Sequence, residues 1–247
     1  REQDPILNAL LMFRKLSSLV LLLAVAQLML ACQGAGHQRP EWVQPVRHEP
    51  DSRAFDAEHY RLSLTVDPDS RSIVGSCALR IRAEDETREL ELDLVGLTVS
   101  EVVTPRGHQL PFKQDSDGLK IDLPERTEVG DLVEVEISYG GSPKKGLWFA
   151  GDAGGAPTHL FTQGECEDSR WWFPCFDLPA DRATSELIVT MPLNWRSVAA
   201  GELMSSSSTD ESYTEHWQMT TPHPAYLTTL VAGDLTVEKS EWEGVPL

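Results

Sequence analysis

No two of the seven histidines in this 247-residue chain stand four residues apart. That absence excludes the His-Glu-x-x-His helix, which needs two imidazoles on one helical face to grip a zinc ion. His48-Glu49 begins like such a motif, but Ser52 holds the fifth position and Pro50 would break the helix. Basic side chains are scarce too: 21 Lys and Arg against 39 Asp and Glu give a net charge of −18. Such a balance argues against nucleic acid or anionic lipid as a partner of the folded part, and its simplest consequence is a soluble surface. Cysteines number only four. There is no internal repeat, and no amphipathic helix after the amino-terminal apolar segment.

That segment is a targeting signal. Arg14 and Lys15 form a positive n-region and Leu16 to Leu30 an apolar h-region, shorter than the roughly 20 residues of a spanning helix. Met12 is the natural initiator, which makes residues 1–11 an upstream translation artefact and 12–32 the signal peptide. Leu28-Met29-Leu30-Ala31-Cys32 resembles a bacterial lipobox. Two readings follow: lipid on Cys32, giving an exported lipoprotein anchored to the membrane and facing periplasm or outside, or an ordinary signal cut near Ala31 or Ala35. Residues 33–56 are polar, hold Pro40, Pro45 and Pro50, and read as a flexible tether. With Cys32 lipidated, Cys77, Cys166 and Cys175 remain, and an odd number leaves at least one free thiol. A Cys166–Cys175 disulfide and a buried Cys175 thiol both stay open.

From His59 the pattern is that of strands. Tyr60, Leu62, Leu64 and Val66 alternate with polar residues, Asp67-Pro68-Asp69-Ser70 makes a turn, and Ile73, Gly75, Cys77, Leu79 and Ile81 return on one face. Similar runs follow at Leu90/Leu92/Leu94, Leu97/Val99, Leu119/Ile121/Leu123, Val133/Val135/Ile137/Tyr139, 197–199, 213–219 and 226–231. Turn signals such as Pro105-Arg106-Gly107 and Gly140-Gly141-Ser142-Pro143 separate them. Short strands at such spacing predict an all-β domain over 57–247, an antiparallel sandwich or saddle of sheets. Ser205 to Ser208 reads as a hairpin loop.

The stretch from Thr158 to Pro192 organises the rest. It carries the aromatic cluster Trp171, Trp172, Phe173 and Phe176, which reads as core. Thr158 to Glu165 is expected to be extended, with Gln163 and Glu165 on one face and Gly164 leaving room for a close neighbour. Phe173 to Pro179, with two prolines, is a rigid connection, and Ser185 to Met191 alternates again. From this pattern alone Glu165 is a solvated carboxylate like Glu167, Asp168 and Arg170 pair with each other, and Asp177 caps a turn.

Thr162-Gln163-Gly164-Glu165, Asp168-Ser169-Arg170, Phe173-Pro174-Cys175-Phe176-Asp177-Leu178-Pro179 and Ala183-Thr184 together resemble the amino-terminal domain of the aminopeptidase N family of zinc metallopeptidases, the gluzincin aminopeptidases related to leukotriene hydrolase. The usual form is close to T-Q-x-E-x-x-x-A-R-x-x-F-P-C-x-D-E-P-x-x-K-A. Ser169, Leu178 and Arg182 depart from it. His59-Tyr60 with Gly75, and Gly146-Leu147-Trp148-Phe149, also look like parts of that domain.

The resemblance implies that Gln163 lines the pocket for the first side chain and that Glu165 binds the peptide's free amino terminus. The complete enzyme would hold zinc through its His-Glu-x-x-His helix and a downstream Glu. Neither that helix nor the family's Gly-x-Met-Glu-Asn stretch is present here, so the chain is expected to lack the catalytic domain, bind no zinc and be inactive alone. Two functions are weighed. One is the substrate-binding domain of a membrane-anchored zinc aminopeptidase that removes amino-terminal residues. The other is a stand-alone cell-surface β-domain that binds peptides or protein partners without catalysis.

Overall fold

The computed structural model describes residues 53–116, 118–151, 155–236, 238, 240–242 and 245–246. The signal segment, Cys32 and the tether up to residue 52 lie outside the described residues. No described helix is long and apolar enough to cross a membrane.

The alternation around Tyr60 becomes a long hairpin. Strand β1 (Phe55–Asp67) and β2 (Ser72–Ala83) pair antiparallel, with Leu62 opposite Cys77 and Val66 opposite Ile73. Asp67 closes the turn by accepting the N–H groups of Asp69 and Ser70. β1 starts at Phe55, buried in the core, so the last residues of the expected tether are already strand. After β3 (Glu89–Asp93), β4 (Thr98–Val103), β5 (Phe112–Gln114) and β6 (Gly118–Asp122), the chain returns as β7 (Leu132–Gly141) beside β2. Then come β8 (Leu147–Ala150), β9 (His159–Thr162), β10 (Ala183–Pro192), β11 (Arg196–Ala199), β12 (Glu202–Ser208), β13 (Ser212–His223) and β14 (Leu230–Gly233).

Three main sheets result. Seven strands run in the order β12-β13-β10-β1-β2-β7-β4, four in the order β11-β14-β9-β8, and three in the order β3-β6-β5. The domain is all-β, and among the described residues its strand pairings are antiparallel except one: β1 and β10 run parallel, Leu62 beside Leu187 and Leu64 beside Val189. The inward side chains of all three sheets, with Trp172, Phe173 and Phe176, form one continuous core. Two 3-10 turns, Ser169–Trp171 and Ala225–Leu227, are the helical elements among the described residues.

Two local expectations are corrected. Ser205–Ser208 is not a loop but the end of β12, an edge strand exposed along its whole length, where small polar residues are tolerated on both faces. The turn lies beyond it, closed by Thr209 N–H on the Ser212 carbonyl at 2.9 Å. Residues 226–229 are not strand either, because the Ala225–Leu227 turn precedes β14.

Asp181 sits where the chain enters β10, with Oδ2 accepting the Ala57 N–H at 3.3 Å. Burial, reinforced by Asp56 and Glu84, pushes its carboxyl up to about 7. A folded-state value above the unfolded 3.8 means the folded protein holds more protons between those limits, so stability falls as pH rises through that window. Asp181→Asn keeps the acceptor and removes the charge. We expect it to melt higher than wild type at pH 8, by about 1–2 kcal/mol after allowance for partial exposure, and to match wild type near pH 4. Equal melting curves at both pH values would refute this.

Candidate functional site

The site grows from the β8/β9 pair, in which Leu147 lies opposite Thr162 and Trp148 opposite Phe161. β9 ends at Thr162, not at Glu165. Gln163 extends the pairing by one rung, its N–H donating to the Gly146 carbonyl at 2.8 Å. The chain then turns back, with Asp168 N–H on the Gly164 carbonyl at 2.9 Å. Gln163 and Glu165 are both exposed, but they flank the bend at Gly164 rather than sharing a strand face as expected.

Two glycines make this bend possible. A Cβ on Gly164 would lie 2.7 Å from the Tyr226 carbonyl oxygen and 3.0 Å from Ser169 Oγ. The close neighbour expected there is therefore the backbone of the 3-10 turn before β14. Gly146 has φ +70°, and a Cβ on it would meet the Asp168 carbonyl oxygen at 2.0 Å; no larger residue fits that approach.

Beneath the turn lies a buried ionic network. Arg170, 6% exposed, donates from Nε and from its backbone N–H to Asp177 Oδ2, both at 3.1 Å, and from Nη2 to the Asp177 carbonyl. Its Nη1 lies 3.6 Å from Asp93 Oδ1, and Nη2 reaches Glu167 at 3.2 Å. Asp93 also takes Arg53 at 2.7 Å and the Asp177 N–H at 2.9 Å. Burial pushes the Asp177 carboxyl up to about 6 against the pull of Arg170. Burial opposes the Arg170 charge, but Asp93 and Asp177 more than offset it and raise its pKa. The pair is thus ionised at neutral pH.

This network revises the expected pairings. Asp168 does not meet Arg170; its carboxylate lies 3.9 Å from Lys145 Nζ. Glu167 is not a solvated carboxylate but a partner of Arg170. Asp177 does cap the Ser169–Trp171 turn, through the Arg170 N–H. Arg53 and Asp93 escaped the sequence reading, since an Asp after the Leu90/Leu92 alternation carries no mark of burial.

The Phe173–Pro179 connection is seated as a rigid piece. Asp93 and Cys175 exchange backbone hydrogen bonds, and the Phe176 N–H donates to Tyr60 Oη at 3.0 Å. Trp172 and Phe173 are fully buried, ring centroids 4.5 Å apart. Cys77 and Cys175 are buried free thiols and Cys166 an exposed one, so the Cys166–Cys175 disulfide does not form. Ser169 is fully buried and its hydroxyl finds no partner among the described residues, a natural consequence of Ser standing where the resembled pattern has Ala.

Residues 56–227 match the family described as the Peptidase M1 N-terminal domain. Mouse aminopeptidase B is 27% identical over 210 residues, which cover 74% of this chain and 32% of that protein. Aminopeptidase N of Acetobacter pasteurianus is 28% identical over 233 residues, 90% of this chain and 61% of that one. The chain thus spans 32% and 61% of the length of these two relatives, under two thirds of either. Among solved structures, the M1 zinc metallopeptidase of Deinococcus radiodurans superposes with a TM-score of 0.69 at 25% identity, over 76% of this chain and 44% of that chain. A mutant of that peptidase bound to a Tyr-Ser-Ala substrate superposes with a TM-score of 0.70. Sequence and fold agree: the chain belongs to the Peptidase M1 N-terminal domain family.

Proposed function

We propose that this chain is the substrate-binding amino-terminal domain of a membrane-anchored zinc aminopeptidase, with Glu165 as the anchor for the peptide's free amino group and Gln163 lining the pocket for its first side chain. The observation that carries this is the Gln163–Glu165 bend: two exposed hydrogen-bonding side chains held on a turn that Gly164, Tyr226 and the Arg170 network lock in place. A carboxylate presented this way accepts a charge-assisted hydrogen bond from a substrate ammonium. It selects peptides with a free amino end, which makes the enzyme an exopeptidase. The binding of Tyr-Ser-Ala by the Deinococcus peptidase supports a peptide ligand for the family. The test is whether Glu165→Gln abolishes the preference for free over acetylated amino ends.

Zinc in the complete enzyme would supply a water of lowered pKa. The residues described here do not fit it, since no three His, Cys, Asp or Glu among them converge on a metal position. The task of this domain is to bind and orient the substrate, and on this reading the purified chain is expected to cleave no aminoacyl reporter.

The anchor is a lipid on Cys32, which closes the short apolar segment behind Arg14 and Lys15. Metabolic labelling with a fatty acid should mark wild type and not Cys32→Ala. Equal labelling of the two would rule the anchor out.

A further inference from the structure

A cavity of about 410 Å3 opens between the start of β1 and the three-stranded sheet, and neither Gln163 nor Glu165 lines it. Its walls carry charges of both signs. The start of β1 contributes Arg53, whose guanidinium lies 4.9 Å above the Phe176 ring and donates from Nη2 to Asp93 Oδ2 at 2.7 Å. β3 and β6 contribute Glu89, Glu91 and Lys120, and the lysine bridges the two glutamates. Asp115 lines the cavity as well.

Arg53 is held in place before any ligand arrives. Its partner Asp93 is 4% exposed and is itself fixed by the Asp177 N–H at 2.9 Å and by Arg170 Nη1 at 3.6 Å. The face of the guanidinium rests on Phe176, which sets its plane. A guanidinium is a rigid fork of donors suited to a carboxylate. With its side chain 17% exposed on the cavity wall, Arg53 can offer the edge not turned to Asp93. Donors positioned in this way spare a ligand part of the ordering cost of binding.

A ligand of one charge suits this cavity poorly. Glu89, Glu91, Asp93 and Asp115 outnumber Arg53 and Lys120, so a simple anion meets net repulsion, while a simple cation meets Arg53. A molecule carrying both charges close together complements both walls. The volume stands near the lower end of small-molecule sites, about 300–1,000 Å3, which favours a compact ligand over a long peptide.

We infer that this cavity binds a small zwitterion, a free α-amino acid or a dipeptide, with its carboxylate on Arg53 and its ammonium on Glu91. Both contacts are charge-assisted hydrogen bonds. The site is separate from the Glu165 anchor and does not depend on it. On the aminopeptidase reading, molecules of this class are what the complete enzyme releases.

The probes are L-leucine, the dipeptide Leu-Leu, leucine amide and N-acetyl-leucine, each titrated into the full chain by calorimetry. Leucine or Leu-Leu is expected to bind, and the tighter of the two identifies the ligand as amino acid or dipeptide. Leucine amide lacks the carboxylate and N-acetyl-leucine lacks the ammonium, so each should bind about tenfold or more weakly than leucine. Glu91→Gln should weaken the zwitterion to a similar degree with an unchanged melting temperature, since Glu91 is exposed. Arg53→Gln should abolish binding; because Arg53 also holds Asp93, its melting curve is recorded alongside, and the amide tests the same contact in wild type should this variant fail to fold. Glu165→Gln should bind like wild type. Equal binding of all four probes, no binding at millimolar concentration, or an unaffected Glu91→Gln would each overturn the inference and leave the Glu165 reading standing. Loss of binding in Glu165→Gln alone would put the zwitterion on the substrate turn, overturning the inference while supporting that reading.

Discussion

Replacing Arg170 with Ala is expected to cost about 3–5 kcal/mol of folding stability, the usual consequence of breaking a buried ion pair by removing one partner. The cost has identifiable sources. Asp177 and Asp93 are 1% and 4% exposed, and without the guanidinium neither carboxylate can recover the water it gave up. Asp177 would keep the Arg170 backbone N–H, and Asp93 would keep Arg53 and the Asp177 N–H. The Nε bond to Asp177 and the contacts to Asp93, Glu167 and the Asp177 carbonyl all go. Against the 5–15 kcal/mol typical of a whole domain, such a loss is large.

Burial already lifts Asp177 to about 6, and without Arg170 it should rise further. Its folded value would then stand further above the unfolded 3.8, so the variant should lose stability more steeply than wild type as pH rises from 5 to 8. Urea titrations at both pH values measure this. A loss below about 1 kcal/mol with no pH trend would mean that the network contributes little and that Phe173 and Trp172 alone seat the turn. Because the same network underlies the Gly164–Asp168 bend, peptide affinity should fall in parallel.

Glu165→Gln in the complete peptidase should reduce kcat/KM for peptides with a free amino end by roughly 10- to 100-fold, the equivalent of about 1.5–3 kcal/mol for a lost charge-assisted hydrogen bond. Glutamine keeps the size and one acceptor, so the change isolates the charge. Acetylated peptides, which carry no ammonium, should be as poor for the variant as for wild type, and the ratio between the two classes should collapse. Glu167→Gln would be a misleading control because Glu167 pairs with the buried Arg170. Glu211, exposed in the β12/β13 hairpin, is the better one, with an expected effect within about 0.5 kcal/mol. An unchanged rate and an unchanged preference in Glu165→Gln would place the amino-terminus anchor on another residue.

Several features of this protein were determined by sequence alone. The β1/β2 hairpin was legible because a strand's side chains repeat every two residues, and the Tyr60–Val66 and Ile73–Ile81 runs each show one face. Gly164 announced a close approach because no other residue leaves that space, and Tyr226 fills it. The Thr162–Pro179 motif was equally plain, and with it the family. Tertiary structure alone decided the rest, and the common reason is distance along the chain. Alternation marks which face of β10 is buried but not that its neighbour is β1, more than a hundred residues earlier and parallel. The polar character of Ser205–Ser208 suggested a loop, whereas pairing with β13 makes it strand. Proximity in sequence suggests Asp168 as the partner of Arg170, but folding brings in Asp93 from β3, and burial decides which carboxylates a guanidinium must satisfy. Nothing in the sequence joins Trp148, Phe161, Val231 and Val198; they lie side by side only because the registers of four strands place them so.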